Sequence, residues 1–387
     1  MKKDVNKIEK ENIYLAPMEG ITGYVFRNAY NNIYGNIDKY FTPFIVPTIK
    51  REFKTRELRD ILPENNEGMK TVPQILTNKA EGFIRTVENL KKYGYREVNI
   101  NMGCPSGTVV AKNRGAGFLA FPDKIDNFLK EIFDATDVEI SVKTRIGMEN
   151  PEEFYGLLEV FNKYPLKELI IHPRLRIDYY KNSVNMDMFK YAYENSKNPI
   201  CYNGDIKTKE DYEKLISVFS NVCGVMLGRG IISNPMLINE IKTDDKDGAG
   251  NKIIYKSKDE NSNEKLLKLK DFHEQLYFGY RKEIEGDINI LYKMKEMWFY
   301  FADNFKTQDK LLKKIKKSNN LSEYEAAVKL IFDLEWIKKY VYITRNASMY
   351  KTKVENMPEK QESWAFGCIF YANKWIYKQK FVIKFTQ

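Results

Sequence analysis

A chain of 387 residues, 43% of them hydrophobic, is long enough for one large folded unit with a smaller one beside it, and too apolar to be a disordered polymer. Four scattered cysteines without a C-x-x-C pair exclude a disulfide framework or zinc knuckle and fit a reducing, cytoplasmic setting; the charged opening MKKDVNKIEKEN is no signal peptide, and no run is apolar enough for a membrane span. The net charge of +10 allows two readings, a polyanionic partner or a lysine-rich composition without functional meaning.

Short apolar or β-branched runs begin with IYLAPM from Ile13, YFTPFIV from Tyr40, TVPQIL from Thr71 and EVNINM from Glu97. The series continues with EISVKT from Glu139, ELIIH from Glu168, PICYNG from Pro199 and GVMLGRG from Gly224. Stretches with helical spacing separate most of them, such as AEGFIRTVENLKKYG and TKEDYEKLISVFS, where Thr208 and Asp211 form a capping box. Apolar strands alternating with amphipathic helices predict βα units around a parallel sheet, and eight units in roughly 240 residues match a (β/α)8 TIM barrel. Pro43 and Pro47 interrupt the second unit, and a doubly wound open sheet is the alternative.

A polar stretch follows over 242–264 and reads as a linker or exposed insertion. From Lys265 the pattern is helical through four segments, with Ser322 and Glu325 as a capping box and KLLKKIKK (Lys310–Lys317) placing basic and apolar faces side by side. That basic face reads as an RNA-backbone contact or as a solvated helix surface; His273, among helical aromatics, reads as structural. The expected class is therefore α/β, a TIM barrel over 1–241 followed by a small all-α helical bundle over 265–344. The aromatic-rich extension over 345–387, with Cys368, has no assigned role.

Most of the strands end, on the carboxyl side, in a residue useful to chemistry: Gln74, Asn101 with Cys104, Lys143, His172, Asn203 and Arg229. In a barrel these ends converge on the face where active sites lie. Taken singly, Lys143 and His172 could equally be surface-facing or satisfied in the core, and Cys104 could be a small buried hydrophobe. The glycine-containing segments YNGDIKT and LGRGIISNP, after the last two strands, can present N–H groups and Arg229 to a phosphate.

The segments LAPMEGITGYVFR, NINMGCPS, SVKTRIG, IHPRLRIDYY, CYNGDI and GVMLGRG, taken together, resemble the tRNA-dihydrouridine synthase family over roughly residues 10 to 340. The resemblance implies an FMN enzyme that reduces selected uridines of tRNA, with NADPH or NADH as electron source. It implies Pro17 and Met18 beside the flavin ring, and Gln74, Lys143 and His172 at its polar edge and ribityl chain. Asn203, Gly204, Asp205, Gly228 and Arg229 belong at the phosphate end. Asn101 and Cys104 are expected to face the target base, with Tyr180 also on the substrate side. Pro173 and the pair Lys181-Asn182 depart from the family pattern in the substrate loop. No obligatory protein partner is evident, and a monomer is expected.

The chemistry suits these residue types. Hydride addition at uracil C6 leaves enolate character over C5 and O4, and C5 then needs a proton. A thiol with an ordinary pKa of about 8.5 is mainly protonated at neutral pH and can deliver it. Lys143 would stabilise negative charge near flavin N1, and the uridine must be flipped out of the tRNA. Arg174 and Arg176 read as phosphate holders or as an ordinary solvated loop. Two rivals are an FMN barrel acting on a free dihydropyrimidine and a barrel that binds RNA without catalysis.

Overall fold

A computed structural model describes residues 12–243, 258–305 and 308–334. The expected extension over 345–387 and most of the expected linker lie outside the described residues. Nine parallel strands make up the sheet among the described residues: β1 Asn12–Leu15, β2 Lys39–Phe41, β3 Thr71–Val72, β4 Gln74–Ile75 and β5 Glu97–Met102 come first. β6 Glu139–Arg145, β7 Leu169–His172, β8 Ile200–Asn203 and β9 Gly224–Leu227 complete it. The order β3-β2-β1-β9-β8-β7-β6-β5-β4 ends in two strands separated only by Pro73. Those two are one strand that proline splits, because it has no N–H to give. Its carbonyl still accepts from Asn99 N–H at 2.9 Å. The sheet therefore closes into an eight-stranded barrel, and the open doubly wound sheet is excluded. Pro43 cuts β2 short, as its sequence suggested, but pairing resumes where Ile45 bonds Gln74 and Leu76 at 2.8 Å each.

Alternation sorts the strand residues into two cores. Outward-pointing Val98, Ile100 and Met102 join a large core between barrel and helices, while Tyr14, Phe41, Ile170, Cys201 and Met226 fill the barrel interior. The floor is charged: Lys39 Nζ bonds Glu97 at 2.6 Å and Glu168 at 3.1 Å, and Tyr14 Oη donates to Glu168 at 3.0 Å. Burial pushes the Glu168 carboxyl up, and Lys39 opposes the shift.

After the barrel, helices span Lys258–Glu283, Asp287–Phe301, Asp309–Lys317 and residues 321–334. The first begins within the stretch expected to be linker. The last is capped by Asn320, whose Oδ1 accepts from Glu323 N–H at 2.9 Å, and not by Ser322. Glu325, its supposed capping partner, instead accepts from the Tyr277 hydroxyl. His273 is structural as expected: fully buried, it meets Tyr324 Oη at 2.6 Å, and Trp298 Nε1 donates to the same oxygen at 2.8 Å. Burial drops its pKa to about 3, so it stays neutral. No described helix is long and apolar enough to cross a membrane.

These helices share the outer core with the barrel. Phe272 packs edge-on against Phe26 and Tyr30 of the barrel helix Tyr24–Ile33 and against its C-cap Tyr34, with ring centroids 5.4, 6.0 and 5.5 Å apart. Gly279 lets the two helices touch, since a Cβ there would lie 2.5 Å from Val25 Cγ1. Phe272→Ala is expected to lower unfolding stability by about 3–5 kcal/mol. Denaturation followed by far-UV circular dichroism should show barrel and helices melting in one weakened transition.

Candidate active site

The carboxyl ends of the strands open into a cavity of about 280 Å³, walled by Pro17, Met18, Asn101, Cys104, Lys143, His172 and Tyr180. All seven were singled out in the sequence. Glu296 and Tyr300 of the helix Asp287–Phe301 form the opposite wall. Nothing in their local pattern separates them from ordinary helix-surface residues; only their spacing of four, placing them on one ridge, was available as a signal.

The Cys104 loop is held at nearly every backbone group. Asn101 Oδ1 accepts from Gly103 N–H at 3.1 Å and Cys104 N–H at 2.9 Å. The Gly103 carbonyl accepts from Arg145 Nε at 3.0 Å, and the Cys104 carbonyl accepts from Ala116 N–H at 3.0 Å. Gly115 permits that last contact: it sits at φ +56°, and a Cβ there would lie 2.8 Å from the Cys104 carbonyl oxygen. Burial pushes the Cys104 thiol up, and the neighbouring Glu19 adds to it, while Ser106 N–H, Arg145 and Lys143 pull the other way. The net rise keeps the thiol protonated at neutral pH.

Arg145 ties two loops together. Besides Gly103, it donates to the carbonyls of Leu175 at 2.7 Å and Tyr179 at 2.6 Å, and its guanidinium lies 5.3 Å from the Tyr180 ring. The clamp was missed in the sequence because it depends on where the loop after β7 folds back. That loop also explains Arg174, which is turned inward: it pairs with Asp205, donates to the Asn182 carbonyl at 2.6 Å and meets His172 Nε2 at 2.9 Å. A buried, fully engaged guanidinium is not the solvent-facing phosphate holder that its loop position suggested. Arg176 is half-buried, with its guanidinium 5.4 Å from the Tyr179 ring.

Lys143 projects from β6 into the cavity. Among the described residues it has no carboxylate or hydrogen-bond partner, and burial, with Arg145 nearby, lowers its pKa to about 8. His172 is pushed well below its ordinary value by burial and by Lys143, Arg145, Arg174 and Arg229. It is neutral, and its Nε2 accepts from Arg174. The cavity thus has a surplus of positive charge at its base. Gln74, expected against the cofactor, is fully buried behind Asn101. Asn203 Nδ2 donates to the Met226 carbonyl at 2.7 Å, joining β8 to β9.

Asp205 accepts from Arg229 at 2.8 Å as well as from Arg174. Burial works against its charge, but the two guanidiniums outweigh it and hold its pKa below the usual carboxylate range. Arg229 lies 4.7 Å from the Tyr180 ring. Gly204, Gly228 and Gly230 let the backbone pack closely at this end. A Cβ on Gly204 would strike the Tyr202 hydroxyl, one on Gly230 the Ile206 carbonyl, and one on Gly228 would come within 3.4 Å of Ala16 and Met18.

A family model described as dihydrouridine synthase (Dus) matches residues 14–329. A probable tRNA-dihydrouridine synthase of Staphylococcus aureus (strain COL) is 26% identical over 322 residues, covering 81% of this chain and 90% of its own length. A tRNA-dihydrouridine(16) synthase of Vibrio parahaemolyticus is 24% identical, covering 79% of this chain and 92% of its own length. Probable tRNA-dihydrouridine synthase 2 of Bacillus subtilis (strain 168) is 28% identical, over 70% of this chain and 79% of its own length. The match runs through the barrel and into the helices that wall its cavity, and the chain belongs to the dihydrouridine synthase family.

Proposed function

We propose that this chain is a flavin-dependent tRNA-dihydrouridine synthase, with Cys104 as the acid that protonates C5 of the target uracil. The observation that carries the reading is a protonated thiol fixed in the wall of a cavity whose base holds an uncompensated lysine. The residues fit FMN. Lys143 offers a half-buried cation, unpaired among the described residues, for the flavin's electron-rich edge. Arg229, at the start of the short helix after Gly228, offers a charged donor for a phosphate. Pro17 and Met18 supply an apolar wall for a ring system.

A reduced flavin, when bound, supplies the hydride that adds at uracil C6. The protein's part is to hold the base, exclude water and complete the addition. Cys104 Sγ–H gives its proton to C5 as the C5–C6 double bond is lost, and the thiolate left behind is stabilised by Arg145 and Lys143 nearby. Neutral His172 can donate through Nδ1–H without adding a further cation to the site. Tyr180 lies over Arg145 and Arg229, so a base entering the cavity passes beside its ring. NADPH is the proposed electron source.

The tRNA partner is supported by the helical region. Lys310, Lys313, Lys314, Lys316 and Lys317 are all exposed, and none has an ion-pair partner among the described residues. Such a face suits a phosphate backbone.

Unmodified tRNA incubated with the protein, FMN and NADPH should gain dihydrouridine, read by mass spectrometry. Cys104→Ala is expected to reduce product at least about 100-fold while leaving flavin reduction by NADPH intact. Full product formation by that variant would end the acid assignment. Because Lys143 loses its proton through about pH 8, FMN should bind about tenfold more weakly at pH 9 than at pH 7. Titration calorimetry of Lys143→Met should show that dependence flattened. Replacing both Lys313 and Lys316 by alanine should raise the KM for tRNA and reduce the slope of log affinity against log salt by roughly 1 to 2.

A further inference from the structure

Behind the Cys104 loop lies a hydrogen-bond chain with a single direction. Asn101 Nδ2 donates to Gln74 Oε1 at 2.8 Å, and Gln74 Nε2 donates to Asn99 Oδ1 at 2.8 Å. Asn99 Nδ2 donates to Ser141 Oγ at 2.9 Å, and Ser141 Oγ donates to the Val98 carbonyl at 3.3 Å. Strand register places these groups together: Gln74 is opposite Asn99 across β4 and β5, and Asn99 is opposite Ser141 across β5 and β6. Gln74, Asn99 and Ser141 have no solvent exposure, so water cannot substitute for a lost partner.

Each end of the chain is set by a group with only one possible role. The Val98 carbonyl can only accept, so Ser141 gives its proton there and must accept from Asn99. The Gly103 and Cys104 N–H groups can only donate, so Asn101 must present its oxygen to them. A side-chain amide in isolation can turn over and exchange its oxygen for its nitrogen. Reversing any one of these three would set donor against donor, or acceptor against acceptor, and strand buried polar groups.

We propose that Gln74, Asn99 and Ser141 are positioning residues that fix the sense of the Asn101 amide and, through it, the place of the Cys104 thiol. They touch neither the substrate nor the reacting atoms. Asn99 and Ser141 sit a full layer below the cavity, and Gln74 reaches it only through Asn101. The effect on turnover rests on the reading of Cys104 as the acid; the effect on the loop does not.

The test compares full-length Asn99→Leu, Ser141→Ala and Ser141→Thr with the parent protein. Hydrogen–deuterium exchange is read on the peptide spanning Asn101–Ser106, with β9 as internal reference. Asn99→Leu should accelerate exchange there about tenfold and Ser141→Ala about threefold, with β9 unchanged. Ser141→Thr, which keeps the hydroxyl, should restore parental exchange. Dihydrouridine formation should lose kcat in the first two variants while the KM for tRNA holds. If Asn99→Leu does not fold, Ser141→Ala and its threonine rescue carry the test. Parental exchange in the loop of Ser141→Ala, or an equal rise in β9, would overturn the proposal. Full activity of Cys104→Ala would defeat the acid assignment instead, and the exchange data would still judge the chain.

Discussion

The alternation imposed by barrel closure governs the rest of this molecule. A strand in a closed barrel gives every second side chain to an interior that has no exit except the two ends. On β5 the inward residues are Glu97, Asn99 and Asn101, and they run from floor to mouth. Glu97 pairs with Lys39 at the bottom, Asn99 joins Gln74 and Ser141 in the middle, and Asn101 holds the Cys104 loop at the top. Three residues of one strand thus carry the floor, the interior and the approach to the site, while the other three, Val98, Ile100 and Met102, bind the outer core. A slip of one residue would exchange the two sets and bury three apolar side chains where amides are needed.

The mouth is electrically unbalanced in a way that the floor is not. At the floor one lysine is shared by two carboxylates. At the mouth Lys143 stands alone, and Arg145 is satisfied by carbonyls, which accept hydrogen bonds but carry no full charge. Among the described residues, Asp205 is taken up by Arg174 and Arg229, and the cavity-wall carboxylates Glu19 and Glu296 pair with Arg56 and Lys293. Burial, with the surplus, keeps His172 neutral, and the surplus favours an anionic guest over an anionic side chain. It also opposes the burial that raises the Cys104 thiol.

Much of this was legible in the chain because strands announce themselves through short apolar runs broken by glycine and proline. The carboxyl ends of those runs gave Asn101, Cys104, Lys143 and His172 directly, since a barrel gathers them whatever the loops do. What stayed hidden depends on the third dimension. Arg145 lay inside a noticed motif, but its partners are carbonyls thirty or more residues away. Arg174 was read as a phosphate holder or part of a solvated loop, whereas Asp205 and His172 draw it in. Glu296 and Tyr300 face the cavity only because Phe272 and Gly279 dock the helices at that height. The cap at Asn320 was misplaced by two residues because two overlapping polar patterns compete there, and the asparagine wins.

The helix that supplies Glu296 and Tyr300 makes the barrel an incomplete object by itself. Cut away together with the preceding helix Lys258–Glu283, it would leave Phe26, Tyr30 and Tyr34 without the Phe272 ring that covers them and the cavity without one side. The expected division into a barrel and a helical bundle is therefore not a division of matter. Neither portion can be exchanged for a foreign counterpart without reshaping the surface its neighbour was cut to fit, and the smallest unit that inheritance or an engineer can move is both together.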